Sequence, residues 1–351
     1  MIKILHSADW HLDAPLQGKE ELKKALASVP GKLAMLCKEE NCDLVLLSGD
    51  LFDGAPSAEG IASLKKALAQ MEVPVFITPG NHDFVAAGSI WLTEVWPDNV
   101  HIFTENQVKS QVLEGLDCTI YGAAFTSMDC SALLEGFRAS HTTRYGIGIF
   151  HGDPTMVSSP YNPITQGQIR QSGLDYLALG HIHKAGSLQC GDTFCLWPGC
   201  PMGKDYGEPG EKGAYIVTID GGVTSRFVAL DTPRFYDLTL SVGNDPRAVL
   251  ERILPPAGSL DYYRITLTGE WEMPDIPSLL GTFAHIPHLE LIDRTQPPVD
   301  VWKALGSDTL EGQFFGMLKE EIENAPQQKE ILQLAAEISR RVLDGQEVVL
   351  P

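Results

Sequence analysis

Five short polar clusters punctuate the first 183 residues of this 351-residue chain, each at or just past the end of an apolar run that reads as a β-strand. They are Asp9-Trp10-His11, Gly49-Asp50, Gly80-Asn81-His82-Asp83, His151-Gly152 and Gly180-His181-Ile182-His183. The runs before them, 2–5, 44–47, 73–78, 145–150 and 176–179, alternate with helical patterns at 22–37 and 61–70. A further strand is expected at 118–121 and a helix at 131–138, with a possible helix break at Pro30-Gly31. That alternation predicts α/β architecture. In such sheets ligand sites gather outside the carboxyl ends of the strands, so the five clusters are expected to meet in one place.

Each cluster supplies a carboxylate, an amide or an imidazole, a mixed oxygen and nitrogen set that suits manganese, iron or zinc. Side chains two apart on extended backbone point the same way, so Asp9 and His11 are expected to face one pocket, as are His181 and His183. Asp50 has two carboxylate oxygens and can bridge two cations. Gly49, Gly80, Gly152 and Gly180 permit tight turns and close backbone approach. Any one cluster alone reads as an ordinary strand end. Five in order, each after a strand, support a two-metal site for phosphoester chemistry.

From residue 188 to 230 the pattern turns to β runs at 194–197, 214–219 and 225–230. Asp231-Thr232-Pro233 reads as a boundary, followed by strands at 235–241 and 262–268, a helix at 246–253 and closure near 288–292. Thr295-Gln296-Pro297-Pro298 reads as a linker before helices at 310–323 and 330–343. The expected division is therefore 1–232, 233–294 and 295–351.

Charge and cysteine content narrow the setting. The chain has 26 Lys+Arg against 46 Asp+Glu, a formal net charge of −20, which argues against a basic, nonspecific nucleic-acid binder. Residues 1–232 hold 16 basic and 27 acidic side chains (net −11), and 233–351 hold 10 and 19 (net −9), so the acid is denser after the boundary. The seven cysteines form no CxxC pair, which favours a reducing cytoplasm over a disulfide framework. Cys190, Cys195 and Cys200 fit no standard zinc spacing and are expected to pack as small hydrophobes. The first residues lack the apolar stretch of a signal peptide, and no run approaches the ~18 residues of a membrane span. A cytoplasmic, soluble protein with no membrane partner is expected.

The series D-x-H, GD, GNHD, HG and GHIH resembles the calcineurin-like metallophosphoesterases over about residues 1–230. Within them, three stretches look like the SbcD-type DNA repair exonucleases, especially the YhaO-like members. These are His6-Ser7-Ala8-Asp9-Trp10-His11-Leu12-Asp13-Ala14-Pro15, Gly49-Asp50-Leu51-Phe52-Asp53-Gly54 and Trp197-Pro198-Gly199-Cys200-Pro201-Met202-Gly203-Lys204, the last with Gly210-Glu211-Lys212-Gly213 after it. The resemblance implies a four-layer α-β-β-α sandwich with a small α+β module, Arg234 to Asp293, capping the DNA path, and C-terminal helices. It implies one metal on Asp9, His11, Asp50 and His183, and a second on Asp50, Asn81, His151 and His181, manganese being the expected ion. His82 would be the catalytic histidine, oriented by Asp83. DNA would be the substrate and an SbcC-like coiled-coil ATPase the partner, with homodimerisation left open. Two divalent cations would bring the formal charge from −20 to −16, so the acidity argues against strong unaided DNA binding and not against DNA chemistry.

Other positions carry weaker readings. Asp53 stands where some relatives have a histidine, which would leave more of the proton-transfer role to His82. Lys204 could touch a phosphate as a point charge. His6 is either a supporting group or an inert strand-end histidine, and Trp10 reads as a packing residue. His101, His141, His285 and His288 belong to no motif. Phe314, Phe315, Leu318, Ile322, Ile331, Leu332, Leu334 and Ile338 form apolar helix faces that either dock a partner or pack on the protein's own body. A nucleotide or small-molecule phosphodiesterase or phosphatase is the alternative activity, although the phosphoprotein phosphatase pattern, with Arg after GD and a GNHE motif, is absent. A metal-bearing scaffold without activity is the third reading.

Overall fold

The computed structural model describes residues 1–16, 19–140, 142–243, 245–256 and 258–346. The first four strands, β1 (Ile2–Ser7), β2 (Leu44–Leu47), β3 (Val75–Ile77) and β4 (Val100–Ile102), lie side by side in parallel. A second sheet holds β5 (Lys109–Leu113), β6 (Cys118–Gly122), β7 (Tyr145–His151), β8 (Tyr176–Gly180), β9 (Gly186–Cys190) and β10 (Thr193–Trp197). Its order is β5-β6-β7-β8-β10-β9, with β6, β7, β8 and β10 parallel. The chain then returns to the first sheet with β11 (Gly213–Ile219) antiparallel to β1 and β12 (Val223–Ala229) outside it, giving the order β12-β11-β1-β2-β3-β4.

The layers follow from the two-residue period of the strands. Ile2, Ile4, Leu44, Leu46 and Phe76 point from the first sheet onto Ile120, Ile147, Ile149 and Tyr176 of the second, forming one dry core between the sheets. The alternate residues Leu5, Val45, Leu47 and Ile77 meet Leu22, Leu26, Leu33, Leu64 and Leu68, on helices α1 (Glu20–Glu39) and α2 (Ala58–Met71). Helix α3 (Ile90–Thr93) sits beside this core through Trp91. On the far face of the second sheet, Phe150, Leu177 and Leu179 pack with Ile169 of α4 (Gln166–Ser172). The result is helix, sheet, sheet, helix, with both sheets covered, as a largely parallel sheet requires.

Two local expectations are corrected. Helix α1 runs unbroken through Pro30-Gly31. Val29, Pro30, Leu33 and Ala34 are all buried there, so packing outweighs the missing amide donor of proline. The segment 131–138 is turns rather than helix. Gly136 takes φ 71°, and the neighbouring backbone is held from outside: Leu133 N–H donates to Asn162 Oδ1 (2.8 Å) and Asn162 N–H to Cys130 O (2.7 Å).

The chain divides into two compact units, Met1–Asp237 with Leu260–Tyr263, and Leu238–Ser259 with Arg264–Pro351. Residues 264–294 and the two C-terminal helices thus fall in one unit. That unit contains most of a sheet of order β13-β14-β15, from β13 (Phe235–Ser241), β14 (Tyr262–Thr268) and β15 (Leu289–Asp293), with Phe235–Asp237 and Tyr262–Tyr263 counted in the first unit. It also contains α5 (Pro246–Ile253), α6 (Ile276–Thr282), α7 (Leu310–Asn324) and α8 (Lys329–Leu343). Arg340 is buried against Glu311 and Asp344, and Arg341 against Glu270 and Glu337, so both cations are paired inside it. No helix among the described residues is long and apolar enough to cross a membrane.

Gly31 lies within α1, and a Cβ added there would meet nothing within 4 Å. Gly31→Ala is expected to stabilise the protein by about 0.5–1 kcal/mol in urea denaturation, because alanine loses less backbone freedom in a helix.

Candidate metal centre

The carboxyl ends of β1, β2 and β3 in one sheet and of β7 and β8 in the other carry the five clusters. A bond from His151 Nδ1 to Ser48 O (2.9 Å) ties the two sheets together there. The loops after β1 and β2 run alongside each other, with Asp9 N–H donating to Gly49 O (3.0 Å) and His11 N–H to Asp50 O (3.0 Å). Asp9 (φ 56°), His11 (φ 49°), Asp50 (φ 53°) and His181 (φ 97°) all lie in the left-handed region. Asp9 and His11 therefore do not share a pocket through an extended strand, as the two-residue spacing suggests. Each turns into it through left-handed backbone, at a cost of about 1–3 kcal/mol per residue, a common device at functional sites. Two glycines are required by close approach: a Cβ on Gly80 would lie 2.2 Å from Asp50 Oδ1, and one on Gly180 2.0 Å from Ser48 O.

Two neighbouring groups of donors result. Ligand atoms of Asp9, His11 and His183 lie within 4.8 Å of one another, as do those of Asp9, Asp50 and His151. His11 Nε2 and His183 Nε2 face each other at 3.0 Å. Asn81 Oδ1 is 2.9 Å from His151 Nε2 and 3.2 Å from His181 Nδ1. Asp50 Oδ2 stands 3.3 Å from His151 Nε2 and 3.9 Å from His11 Nε2, between the two groups. His181 and His183 point to different groups, one toward Asn81 and the other toward His11. All seven positions expected to hold metal are thus brought together, Asp50 in the middle.

The donors fit divalent cations. Asp9 and Asp50 are almost wholly buried, and their ion-pair partners are imidazoles. Burial, aided by the charge of Asp50, pushes Asp9 up to about 6 against the pull of His151 and His183. Burial also works to raise Asp50, but the charge and hydrogen bond of His151 outweigh it and hold Asp50 below the usual carboxylate range. Burial would lower His151, which Asp50 and Asp9 instead lift to about 9. Burial depresses His11 to about 3, helped by the nearby ammonium of Lys204, and His181 to about 4, which favours neutral imidazole donors. His11 Nδ1 is buried without a hydrogen-bond partner. A cation would take up the facing ring nitrogens of His11 and His183 and the confined carboxylates together.

The role expected of Asp83 is corrected. Its Oδ1 accepts from Gly80 N–H (2.7 Å) and its Oδ2 from Leu51 N–H (2.8 Å) and Phe52 N–H (3.3 Å), so it braces the loops carrying Asp50 and Asn81. Burial and the charge of Asp50 raise it to about 7. The carboxylate that meets His82 is Asp53, with Oδ1 2.8 Å from His82 Nδ1 and 3.5 Å from His11 Nδ1. His82 is exposed, its ring edge-on to that of His11 at 4.7 Å.

Sequence reading missed Glu208. Its Oε1 engages His183 Nδ1 and its Oε2 accepts from Lys204 N–H (2.9 Å). It orients the ring of His183 and anchors the loop of Lys204, and its signal, an acid beyond a Pro/Gly-rich loop, belongs to no short motif. Burial acts to raise Glu208, but His183 and Lys204 bring it down to about 2. His6 is a supporting group: Nδ1 lies 2.7 Å from Tyr176 Oη and Nε2 2.8 Å from Ser48 Oγ. Trp10 is buried and donates to Ser7 Oγ (2.9 Å), a packing role. Cys190, Cys195 and Cys200 are buried free thiols. His101 stacks on Phe76 away from the clusters, and His141 lies outside the described residues.

Such a centre, at the carboxyl edge of a four-layer sandwich, offers the donor set of a dinuclear metal site. The profile of the calcineurin-like phosphoesterases matches residues 2–185, and the chain belongs to that family, which uses divalent metals. A Bacillus subtilis (strain 168) protein described as uncharacterized metallophosphoesterase YhaO is 34% identical over 245 residues, which cover 63% of this chain and 58% of that relative's length. Among solved structures, a dimetal phosphatase from Danio rerio is similar with a TM-score of 0.46 and 11% identity, over 65% of this chain and 96% of its own. An archaeal phosphodiesterase gives a TM-score of 0.37 and 17% identity, over 65% and 100%.

Two outcomes follow. Glu208→Ala is expected to weaken binding of Mn2+ about 10–100-fold in calorimetric titration, with Glu208→Gln retaining more of it because an amide oxygen still accepts from His183. Burial holds His6 down to about 3, whereas the unfolded chain protonates it near 6.5. Its contribution is complete above pH 6.5 and is lost as pH falls toward 3. The stability of the metal-free protein relative to His6→Gln should therefore fall by about 1 kcal/mol between pH 7.5 and 5.5 in denaturant titrations.

Proposed function

We propose that the chain is a DNA nuclease subunit that hydrolyses phosphodiester bonds at two divalent cations, manganese in the first instance, and works with a coiled-coil ATPase of the SbcC type. The observation that carries the hydrolytic reading is the pairing of two donor groups around Asp50 with an exposed His82 at their edge. Two cations held there would lower the pKa of water and offset charge on the phosphoryl oxygens. Asp9, His11, Asp50 and His183 would hold one, and Asp50, Asn81, His151 and His181 the other. Asp53 fixes the His82 ring through Nδ1, which leaves Nε2 for the departing oxygen of the ester. Asp83 keeps the loops of Asp50 and Asn81 in register, and Glu208 does the same for His183.

The nuclease assignment rests on the SbcD-like stretches at His6 to Pro15 and Gly49 to Gly54. The net charge of −20 favours grip supplied by a partner. The C-terminal hairpin supports such a partner: Phe315 and Ile322 pack inward, while Leu310, Phe314, Met317, Ile331 and Leu334 stay exposed on α7 and α8. The described part of the chain thus divides the expected apolar face between self-packing and an open surface.

Wild-type protein with Mn2+ is expected to hydrolyse bis-p-nitrophenyl phosphate and to cut duplex or single-stranded DNA, the latter more strongly with its ATPase. His82→Ala should lose about 10²–10⁴-fold in kcat while still binding metal, and Asp50→Ala should lose both. Hydrolysis of the small ester with no DNA cleavage, ATPase included, would replace the nuclease by a small-molecule phosphodiesterase.

A further inference from the structure

The loops that carry Asp53 and His82 continue into the lining of a cavity of about 380 Å3. Gly54, Ala55 and Pro56 of the first loop and Ala86, Ala87 and Gly88 of the second line it, with His82. Its volume lies within the range of about 300–1,000 Å3 typical of small-molecule sites. Phe52 and Trp91 also line it. Trp91 Nε1–H donates to Asp83 O (2.6 Å), and the indole stacks on Trp96 with ring centroids 5.3 Å apart.

Its lining is largely hydrocarbon. The carboxylate in its lining is Asp83, whose oxygens are taken by the backbone N–H groups of Gly80, Leu51 and Phe52 and are not offered to a ligand. Among the described residues no lysine or arginine lines it, and the charge of His82 is met by Asp53, so a second phosphate finds little counter-charge there. Small side chains on both loops leave room for a flat ring. A group that donates a proton in catalysis must lie within hydrogen-bond reach of the oxygen receiving it. Whatever that oxygen belongs to therefore sits beside His82, where this cavity opens.

We propose that the cavity receives the nucleoside unit, base and sugar, whose oxygen leaves when the phosphodiester is cut. This deepens the phosphodiester-hydrolase reading of the site and rests on it. In the step, the oxygen of water bonds to phosphorus, the P–O bond to the nucleoside breaks, and protonated His82 gives its proton to the departing oxygen; one water proton stays on the phosphomonoester and the other passes to solvent, from which His82 is reprotonated. The products are a phosphomonoester and a nucleoside hydroxyl. The loops 54–56 and 84–91 then select the leaving group by shape and apolar contact, while the donors around Asp50 attend to the phosphate.

The test uses the full chain and two variants that narrow the cavity from its two loops, Ala55→Trp and Ala87→Trp. Thymidine and deoxyadenosine are offered to the metal-free protein in equilibrium dialysis, and thymidine is used as an inhibitor of bis-p-nitrophenyl phosphate hydrolysis with Mn2+. The expected result is binding to wild type, competitive inhibition, and a loss of roughly tenfold in both with either variant, the scale of one lost base contact. Inhibition by inorganic phosphate should stay unchanged, showing an intact centre. If wild type cleaves the ester but neither nucleoside binds, or both bind the two variants as well as wild type, the cavity is not a nucleoside site. If the nucleosides bind and no phosphodiester is cleaved under any condition, the hydrolase reading falls and the leaving-group role falls with it.

Discussion

The burial of Asp9 and Asp50 in one small space is the constraint on which the site depends. Removal from water, with the charge of Asp50 adding to it, raises Asp9 to about 6, while the charge and hydrogen bond of His151 keep Asp50 charged. Imidazoles temper that conflict without removing it. Divalent cations would, and the surrounding structure is arranged for them: neutral His11 and His181, the Nε2 atoms of His11 and His183 face to face, and Asp50 between two donor groups. Left-handed backbone at four residues is tolerated because bonds between adjacent loops over-determine it.

Around that centre, carboxylates that look alike in sequence divide their labour by environment. Asp83 is buried and spent on backbone amides, whereas Asp53 is partly open and holds His82. Glu208 comes from a distant loop to hold His183. Metal ligands commonly have their second ring nitrogen fixed in this way, which sets the tautomer presented to the ion. A residue adjacent to a motif is thus no guide to which side chain it touches.

The acidity of the chain takes on a different meaning once its place is known. Part of it is drawn into the centre, where cations would answer it. Much of the remainder lies after residue 232, including the unit that carries the C-terminal helices. A protein so charged gains little from nonspecific contact with phosphate backbones. Chemistry on a phosphodiester and grip on a long anionic polymer are separate tasks.

The alternation of apolar runs and helical patterns determined the class of fold, because a two-residue or 3.6-residue period can be read wherever a face is buried. The five clusters determined the donor set, since strand ends in parallel sheets share an edge. What sequence could not supply were contacts between distant segments. The unbroken helix through Pro30 comes from burial of its apolar side, and the turns at 131–138 come from Asn162, more than twenty residues away. The partnership of His82 with Asp53 rather than Asp83, the reach of Glu208 to His183 and the cavity beside His82 all arise where loops from different strands converge. Residue types and spacing fix which groups are available. Only the packing of one loop on another decides which groups meet, because side-chain direction in left-handed and irregular backbone follows no period.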